Sequence, residues 1–283
     1  MKPGTDPQLT RPSWRQVFIQ FDDYPAAEHI GVAHLGPDIM TAEAAGLIAS
    51  WFFIRKAPYW RLRFLSSHDS SQQDATMFIH QRLDILQETG HIANWVETIY
   101  EPETHAFGGT AAMDLAHQLF HVDSRHIVAY FGSDRSTFAG CGDRRRELSI
   151  LLCGILMRGA GQDWHEQGDI WARVAEHRTL PPDTPPDRLR TMESDLRRLM
   201  TVDASPSSPL LKEKGPLTFL SDWAAAFEEA GRALGDLAGD GTLRRGVRAV
   251  LAQHVIFHWN RIGLPHATQS ILANVAKAVV LGQ

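Results

Sequence analysis

Two arginines spaced two residues apart are the side chains of this sequence best suited to chemistry. Arg61 and Arg63 lie in WFFIRKAPYWRLRFL, residues 51–65, where two aromatic-rich apolar runs flank Lys-Ala-Pro. This pattern predicts two strands joined by a turn. Alternate residues of a strand share one face, so both guanidiniums would point the same way. Such a pair can bind a carboxylate bidentately, or it can form structural ion pairs with nearby acidic residues.

An acidic loop follows the last predicted strand. The loop YEPETHAFGG, residues 100–109, carries Glu101 and Glu103 and ends in Gly108-Gly109. Loops at strand ends often hold catalytic groups, and a glycine pair permits backbone conformations that are closed to other residues. The alternative is an ordinary solvated turn.

A polar cluster interrupts an apolar helix near the end of the chain. In QHVIFHWNR, residues 253–261, His254 and His258 lie on one helical face, and Arg261 follows three residues later on the same side. A histidine titrates near neutral pH and can carry a proton. A core histidine that is satisfied by backbone groups is the alternative.

Two other histidines have the spacing of metal ligands. His117 and His121 lie four apart on a predicted helix and are followed by Asp123. This spacing can turn two imidazoles toward one metal, but the sequence supports no third ligand and contains no HExxH motif. We therefore expect structural or surface histidines here, and we predict no metal and no other cofactor.

The elements that position these residues change character along the chain. Alternating apolar and polar residues predict strands at 14–21, 51–65 and 94–100, whereas helical periodicity dominates after residue 110. Strands followed by helices favour an α+β fold, with a mainly antiparallel N-terminal sheet and flanking helices before a C-terminal helical bundle. We expect a flexible tail at 1–12 and a single domain over 13–283, sheet-rich over 13–109 and helical over 110–283.

Helices are predicted in both parts. A short helix from Tyr24 is expected to end before Gly36-Pro37, and an Ala-rich helix is expected at 40–50. An amphipathic helix is predicted at 75–87. Seven C-terminal helices are predicted at residues 111–131, 144–159, 164–177, 188–200, 219–235, 242–260 and 265–281.

The composition narrows the function classes. Hydrophobic residues make up 43% and charged residues 22% of the 283, as in a soluble globular protein, and the net charge of −5 argues against a global nucleic-acid surface. Cys141 and Cys153 lack zinc-site or CxxC spacing. The N-terminus has no apolar core of a signal peptide, and no apolar run is long enough for a membrane span. We therefore expect a cytoplasmic protein.

Four segments together resemble one known family, the C-terminal domain of lanthipeptide dehydratases, also called the thiopeptide-type bacteriocin biosynthesis domain. The family patterns are WFFIR…HLRLRF, Y.PE..RYGG, M..AE..F..DS and H..NR. The matching segments occur in family order at residues 51–65, 100–109, 113–124 and 258–261. The chain is too short to include the family's large N-terminal glutamylation domain, so the resemblance implies the stand-alone, split form.

The resemblance implies a lyase of RiPP biosynthesis, in lanthipeptide or thiopeptide pathways. A separate glutamyl-tRNA-dependent dehydratase subunit would glutamylate Ser or Thr of a precursor peptide. This chain would then eliminate the glutamate and leave dehydroalanine or dehydrobutyrine. The implied partners are the precursor peptide and the glutamylating subunit, with no direct nucleic-acid binding and no membrane, and a homodimer stays open.

The resemblance also implies residue roles. Arg61 and Arg63 match family arginines that could hold the glutamyl group and stabilise its charge as it leaves. His258 matches a family histidine and is the candidate acid or base. Glu103 matches the acidic position of the loop and could orient an arginine or relay a proton.

One loop position departs from the family pattern. The family has Arg immediately before its Tyr-Gly-Gly, where this chain has Ala106, and Phe107 replaces the Tyr. We expect Arg55 or Arg261 to supply the missing guanidinium in substrate binding, together with Asn260 of the HWNR segment, unless the chemistry has changed.

Two other functions stay open. The same family includes pyridine synthases of thiopeptide pathways, which perform a formal (4+2) cycloaddition between two dehydroalanines, expel the leader peptide and dispense with the elimination residues. A non-catalytic module that docks precursor peptide for a partner enzyme is the third reading. Retention of both Arg61 and Arg63 favours elimination.

Overall fold

The chain divides after Glu101 into two compact units, a sheet unit and a helical unit that starts at Pro102. A computed structural model of the protein describes residues 14–67, 72–132, 143–205 and 208–282. The tail predicted at 1–12 and Cys141 lie outside these residues. Within them, no helix is both long and apolar enough to cross a membrane.

The sheet unit contains four antiparallel strands in the order β2-β3-β1-β4. Their bounds are β1 Arg15–Gln20, β2 Ile48–Lys56, β3 Tyr59–Ser66 and β4 Asn94–Thr98. The predicted two strands and turn over residues 51–65 are confirmed as the β2–β3 hairpin, which pairs Lys56 with Tyr59. The α+β class predicted from the sequence is confirmed.

The strand register separates the two faces of β3 as predicted. Arg61 lies opposite Phe18 of β1 and Ile54 of β2, and Arg63 lies opposite Gln16 and Phe52. Because directly opposed residues share a face, these residues form one face of the sheet, called here the arginine face. The alternate residues of β3 are buried on the other face, namely Trp60, Leu62 and Phe64.

The helices of the sheet unit differ from prediction first at Gly36-Pro37. The predicted break at Gly36-Pro37 is wrong, because α1 (Ala27–Ile30) continues through a π-helical turn, Gly31–Leu35, into α2 (Gly36–Ala44). Pro37 stands in the first turn of α2, a position where a proline needs no backbone donor.

The end of α2 and the next helix also differ from their predicted bounds. The Ala-rich helix predicted at 40–50 ends at Ala44, and Ile48 already belongs to β2. The amphipathic helix predicted at 75–87 is confirmed as α3, Gln72–Glu88, with buried positions at Ala75, Ile79, Leu83 and Leu86.

The helical unit contains the seven predicted C-terminal helices. Their bounds are α4 Thr110–Phe131, α5 Arg145–Gly159, α6 Trp164–His177, α7 Pro186–Met200, α8 Ser221–Gly239, α9 Val247–Ile262 and α10 His266–Leu281. Helix α9 begins five residues later than the predicted residue 242, because the backbone N–H groups of Leu243 and Arg244 bond outside the helix, to Leu237 and Gly108.

Close packing of α5 against α8 depends on a glycine. A Cβ atom at Gly231 of α8 would lie 2.2 Å from the backbone oxygen of Leu156 in α5. Contacts that short do not occur, so any larger residue would force the two helices apart. The strongly apolar α5 predicted to be buried is confirmed as buried from Leu148 to Met157.

Candidate functional site

Arg63 is held tightly on the arginine face. Arg63 is 7% exposed, and its Nε donates a 2.7 Å hydrogen bond to Oε1 of Gln16. The amide of Gln16 in turn donates to Thr98 and to the backbone oxygen of Ile99 at 2.9 and 3.1 Å. The guanidinium carbon of Arg63 lies 4.4 Å from the centre of the Tyr100 ring, within cation–π distance. This side chain is therefore rigid.

Arg61 has a different environment on the same face. It is half-buried, and its guanidinium carbon lies 4.8 Å from the centre of the Phe18 ring. Its Nε is buried and has no hydrogen-bond partner, and among the described residues no carboxylate lies within ion-pair distance of its guanidinium. A half-buried cation without a counter-charge is unfavourable by itself and attracts an anion.

Arg55 does not belong to this face. It lies opposite Trp60 in the hairpin register, on the other side of the sheet. Its guanidinium pairs with the carboxylate of Glu28 and lies 4.6 Å from the Trp60 ring centre. The expectation that Arg55 supplies a guanidinium beside Arg61 and Arg63 is therefore corrected, because the side chains of adjacent strand positions point to opposite faces.

In the helical unit, a buried carboxylate collects the polar residues of α9. Asp123 of α4 accepts a 2.6 Å hydrogen bond from Nε of Arg261 and bonds of 3.0 and 3.1 Å with Nδ1 of His258. Nε1 of Trp223 in α8 donates a further bond of 2.9 Å. His258 and Arg261 lie three residues apart on one helical face, as predicted, and this face packs against α4.

The charges and hydrogen bonds of this cluster keep the carboxyl of Asp123 ionised. Burial alone would raise the pKa of Asp123, but the charges and hydrogen bonds of His258 and Arg261 outweigh burial and lower it from 3.8 to about 2. An ionised carboxylate can only accept hydrogen bonds, so Nδ1 of His258 must carry a proton. The other ring nitrogen of His258, Nε2, is buried without a partner among the described residues.

His254 extends the cluster without joining its hydrogen bonds. Burial and the charge of Arg261 lower its pKa from 6.5 to about 3, so the imidazole is neutral at physiological pH. Neither ring nitrogen has a hydrogen-bond partner among the described residues, and the ring lies edge-on to Phe107 at 4.9 Å between centres. His254 is therefore an aromatic core residue.

His258, the predicted acid or base, is also enclosed by the helical unit. His258 is only 1% exposed, and the Phe227 ring covers it at 5.1 Å between centres. Arg261 is fully buried and bound to Asp123, so it is not available to bind substrate in this conformation. In the sequence, Asp123 stands beside His117 and His121 and within the segment 113–124 that resembles the family, and no role is predicted for it. The signal for a role is an acidic residue within the buried face of α4.

The acidic loop carries an exposed carboxylate and an unexpected guanidinium. Glu103 is exposed, and its Oε2 accepts a 3.3 Å hydrogen bond from the amide of Gln253. The backbone oxygen of Ala106 accepts a 2.6 Å bond from Nη1 of Arg245. The loop thus contacts a guanidinium at the position where the family has its own arginine. Arg245 lies 139 residues away in the sequence, so no local pattern indicates this contact. Phe107 is fully buried.

The last predicted substrate-binding residue is tied to a neighbouring helix. Oδ1 of Asn260 accepts a 3.1 Å hydrogen bond from the amide of Gln269 in α10. Gln269 also accepts a bond of 2.6 Å from Nε of Arg178. Asn260 therefore links α9 to α10. As for a metal, no group of three or more His, Cys, Asp or Glu side chains within the described ranges is placed to hold one.

The predicted site residues are thus divided between the two units. The sheet unit brings Arg61 and Arg63 to one face and places Arg55 on the other. The helical unit brings His258 and Arg261 together on Asp123 and leaves Glu103 exposed on its loop.

Several solved structures share the fold, and the following three are among them. The crystal structure of the tRNA-dependent lantibiotic dehydratase MibB from Microbispora sp. 107891 aligns with a TM-score of 0.68 at 19% identity, over 99% of this chain and 29% of that one. TsrL aligns with a TM-score of 0.65 at 16% identity, and the pyridine synthase TbtD from thiomuracin biosynthesis with 0.56 at 13%; each alignment covers 95% of this chain and 98% of the other.

At these identities the likeness shows the fold alone, and the chain spans under a third of the length of MibB. No curated protein matches the sequence. The family model for the lantibiotic biosynthesis dehydratase C-terminal domain matches residues 14–280, which confirms the resemblance carried by the four segments. The chain therefore belongs to the lantibiotic dehydratase C-terminal family, a family of lantibiotic and thiopeptide biosynthesis.

Proposed function

We propose that this chain eliminates glutamate from glutamylated Ser or Thr residues of a precursor peptide. The observation that carries the proposal is Arg61, a half-buried guanidinium without a carboxylate partner among the described residues. It lies beside the buried Arg63 on one sheet face, where its guanidinium offers a positive charge to a carboxylate. The partners would be the precursor peptide and a separate glutamyl-tRNA-dependent enzyme that attaches the glutamate.

Elimination makes one double bond at the expense of two single bonds. A base takes the proton from Cα, the electron pair of that bond forms the Cα=Cβ double bond, and the Cβ–O bond breaks with its electrons on the departing glutamate carboxylate. Negative charge grows on the leaving carboxylate and on the peptide carbonyl beside Cα. Arg61 would stabilise the leaving carboxylate, and Arg63, fixed by Gln16, would hold the glutamyl group.

Two residues of the helical unit are candidates for the base. Nδ1 of His258 bonds with Asp123, so Nε2 is the nitrogen that could exchange a proton with substrate, but reaching it requires local opening around Phe227. Glu103 is exposed and needs no opening. A Glu103→Gln variant that retains elimination while His258→Phe loses it assigns the proton transfer to His258, and the reverse result assigns it to Glu103.

The test incubates the protein with a glutamylated precursor peptide and follows the mass. Loss of glutamate with formation of the dehydrated product supports the proposal, and an unchanged glutamylated peptide contradicts it. We expect Arg61→Ala to lower the rate by about two orders of magnitude, the effect of removing one electrostatic donor.

The matched control for this substitution is Arg55→Ala, which removes an arginine from the opposite face of the same hairpin. It breaks the contact with Glu28, so we expect a lower unfolding midpoint and an unchanged rate per folded molecule. Equal rate losses in both variants would show that the effect comes from the hairpin as a whole and not from an anion site at Arg61.

Cycloaddition is the second candidate function. It is favoured by Ala106 in place of the loop arginine and by the enclosed His258, because both features remove groups that elimination would use. A peptide that already carries two dehydroalanines tests it, with release of the leader peptide as the positive result. A protein that binds peptide but turns over neither substrate would be a docking module.

A further inference from the structure

β4 is an edge strand with one side open. Among the described residues it pairs only with β1, so the peptide groups on its other side have no strand partner. Such an edge is a template for another extended chain. Natural edges are usually protected by Lys or Pro, but residues 94–99, NWVETI, contain neither, and their only charge is Glu97.

The edge is also apolar and exposed. The large hydrophobic residues that are exposed within the described ranges are Met77 at 50%, Ile85 at 45%, Val96 at 49% and Ile99 at 86%. Val96 and Ile99 belong to the edge itself. Met77 lies one turn before His80 on the face of α3 that contacts β4. We call residues 94–99 with Met77 the β4 edge.

Helix α3 holds this strand in place from one face. The His80 ring packs on Trp95 at 4.5 Å between centres, and its Nε2 lies 3.3 Å from the carboxylate of Glu97. Nε1 of Trp95 donates a 3.0 Å hydrogen bond to Asp84. Glu97 also pairs with Arg15 at 3.2 Å, so the one charge of the strand is occupied. The strand is thus held against α3, and its one charged side chain is paired.

We propose that the β4 edge docks an extended segment of the peptide substrate as an added strand. Free strand backbone is complementary to extended polypeptide backbone, and apolar side chains of that peptide would contact Val96 within the strand and Ile99 just beyond its end. Val96 lies on the arginine face, directly opposite Phe18 of β1. The Arg61 guanidinium lies over the Phe18 ring, so the β4 edge is close to Arg61. The choice of occupant rests on the proposed function in one respect, namely that the substrate is a peptide.

The test measures binding by fluorescence anisotropy and needs no turnover. The probe is a fluorescein-labelled peptide of about ten residues, enough for one strand and its flanks, in which Val or Ile alternates with Thr or Ser. Two further probes carry N-methyl groups on the odd or on the even residues, so each lacks the main-chain donors on one side. We expect the unmethylated probe to bind and at least one of the two N-methylated probes not to bind.

Three variants locate the binding. Val96→Lys and Ile99→Lys place a charge on the β4 edge, and each should weaken binding by about tenfold or more. Ile85→Lys is the matched control, because it adds the same charge at a similarly exposed position about 140° around α3 from His80. It should leave binding unchanged. Ile99 lies outside the β1–β4 ladder with an exposed side chain, so we expect its variant to keep the wild-type unfolding midpoint, which urea unfolding checks.

Several results would overturn the proposal. They are no binding by the wild-type chain, equal binding by all three variants, and binding of every N-methylated probe as tight as that of the unmethylated probe. A wild-type dimer that Val96→Lys converts to a monomer, with no peptide bound, would assign the β4 edge to a second copy instead. Because the assay is independent of chemistry, peptide binding without glutamate elimination would contradict the proposed function and leave this proposal standing.

Discussion

Arg61 and Arg63 have equivalent positions in β3 but different contacts. They are neighbours on one face, yet Arg63 is fixed by Gln16 and Tyr100, whereas the Arg61 guanidinium lies over the Phe18 ring and has no ion pair with any described residue. The first is built into the sheet, and the second keeps its charge available for an anion. The proposed elimination therefore depends more directly on Arg61 than on its neighbour.

Asp123 is the residue on which the buried cluster of the helical unit depends. Asp123→Asn keeps the shape but removes the negative charge, which leaves the guanidinium of Arg261 buried without a counter-charge. We expect a loss of about 3–5 kcal/mol in the free energy of unfolding, the usual effect of removing one partner of a buried ion pair. Urea unfolding measures it.

The control for this prediction is Glu103→Gln, which makes the same chemical change at an exposed carboxylate with one 3.3 Å hydrogen bond. It should stay within about 0.5 kcal/mol of the wild type. An unchanged midpoint for Asp123→Asn would show that the cluster does not stabilise the helical unit.

His254 makes the stability of the helical unit depend on pH. Its pKa is lowered from 6.5 to about 3 by burial and by Arg261, with Asp123 acting in the opposite direction. Between these values the unfolded chain binds a proton at this residue and the folded chain does not. The free energy of unfolding should therefore fall as the pH falls from 6.5 toward 3, by up to about 1.4 kcal/mol per pH unit.

Urea unfolding across this pH range checks the prediction, and His254→Phe should remove this part of the slope. The variant should still lose stability below pH 3.8, where Asp123 titrates in the unfolded chain, because the pKa of that carboxyl is about 2 when folded. Parallel stability curves for the variant and the wild type between pH 6.5 and 3 would contradict the assignment.

At the scale of elements, the close contact between α5 and α8 excludes side chains larger than glycine at position 231. We expect Gly231→Ala to destabilise the protein by about 1–3 kcal/mol, because the new methyl group would meet the backbone oxygen of Leu156 at 2.2 Å. Gly239→Ala is the matched control in the same helix, since a Cβ there meets no atom within 4 Å. Equal unfolding midpoints would mean that α8 can shift freely along α5.

Element types were predictable from the sequence because each depends on local periodicity. The β2–β3 hairpin and the seven helices after residue 110 follow patterns that repeat every two or about 3.6 residues. The failure at Gly36-Pro37 has a local cause as well. Proline breaks a helix interior, but it is tolerated in a first turn, and here a π-helical turn leads into the helix that Pro37 begins.

At the scale of the whole molecule, the fold is shared by proteins with different named activities. MibB, TsrL and TbtD share the fold at 13–19% identity, and a lantibiotic dehydratase and a pyridine synthase are both among them. One architecture thus accompanies more than one named activity, so function has to be argued from individual side chains. In this chain those are Arg61, the cluster on Asp123 and the loop with Glu103.

The sequence by itself determined the strands, the helices and the common face of Arg61 and Arg63, because these follow from the pitch of a single element. Only the tertiary structure decided the partners. Asp123 bonds with His258 and Arg261 across 135 and 138 residues, and Arg245 reaches Ala106 across 139. Contacts over such separations depend on how helices pack, and the period of one helix does not contain that information.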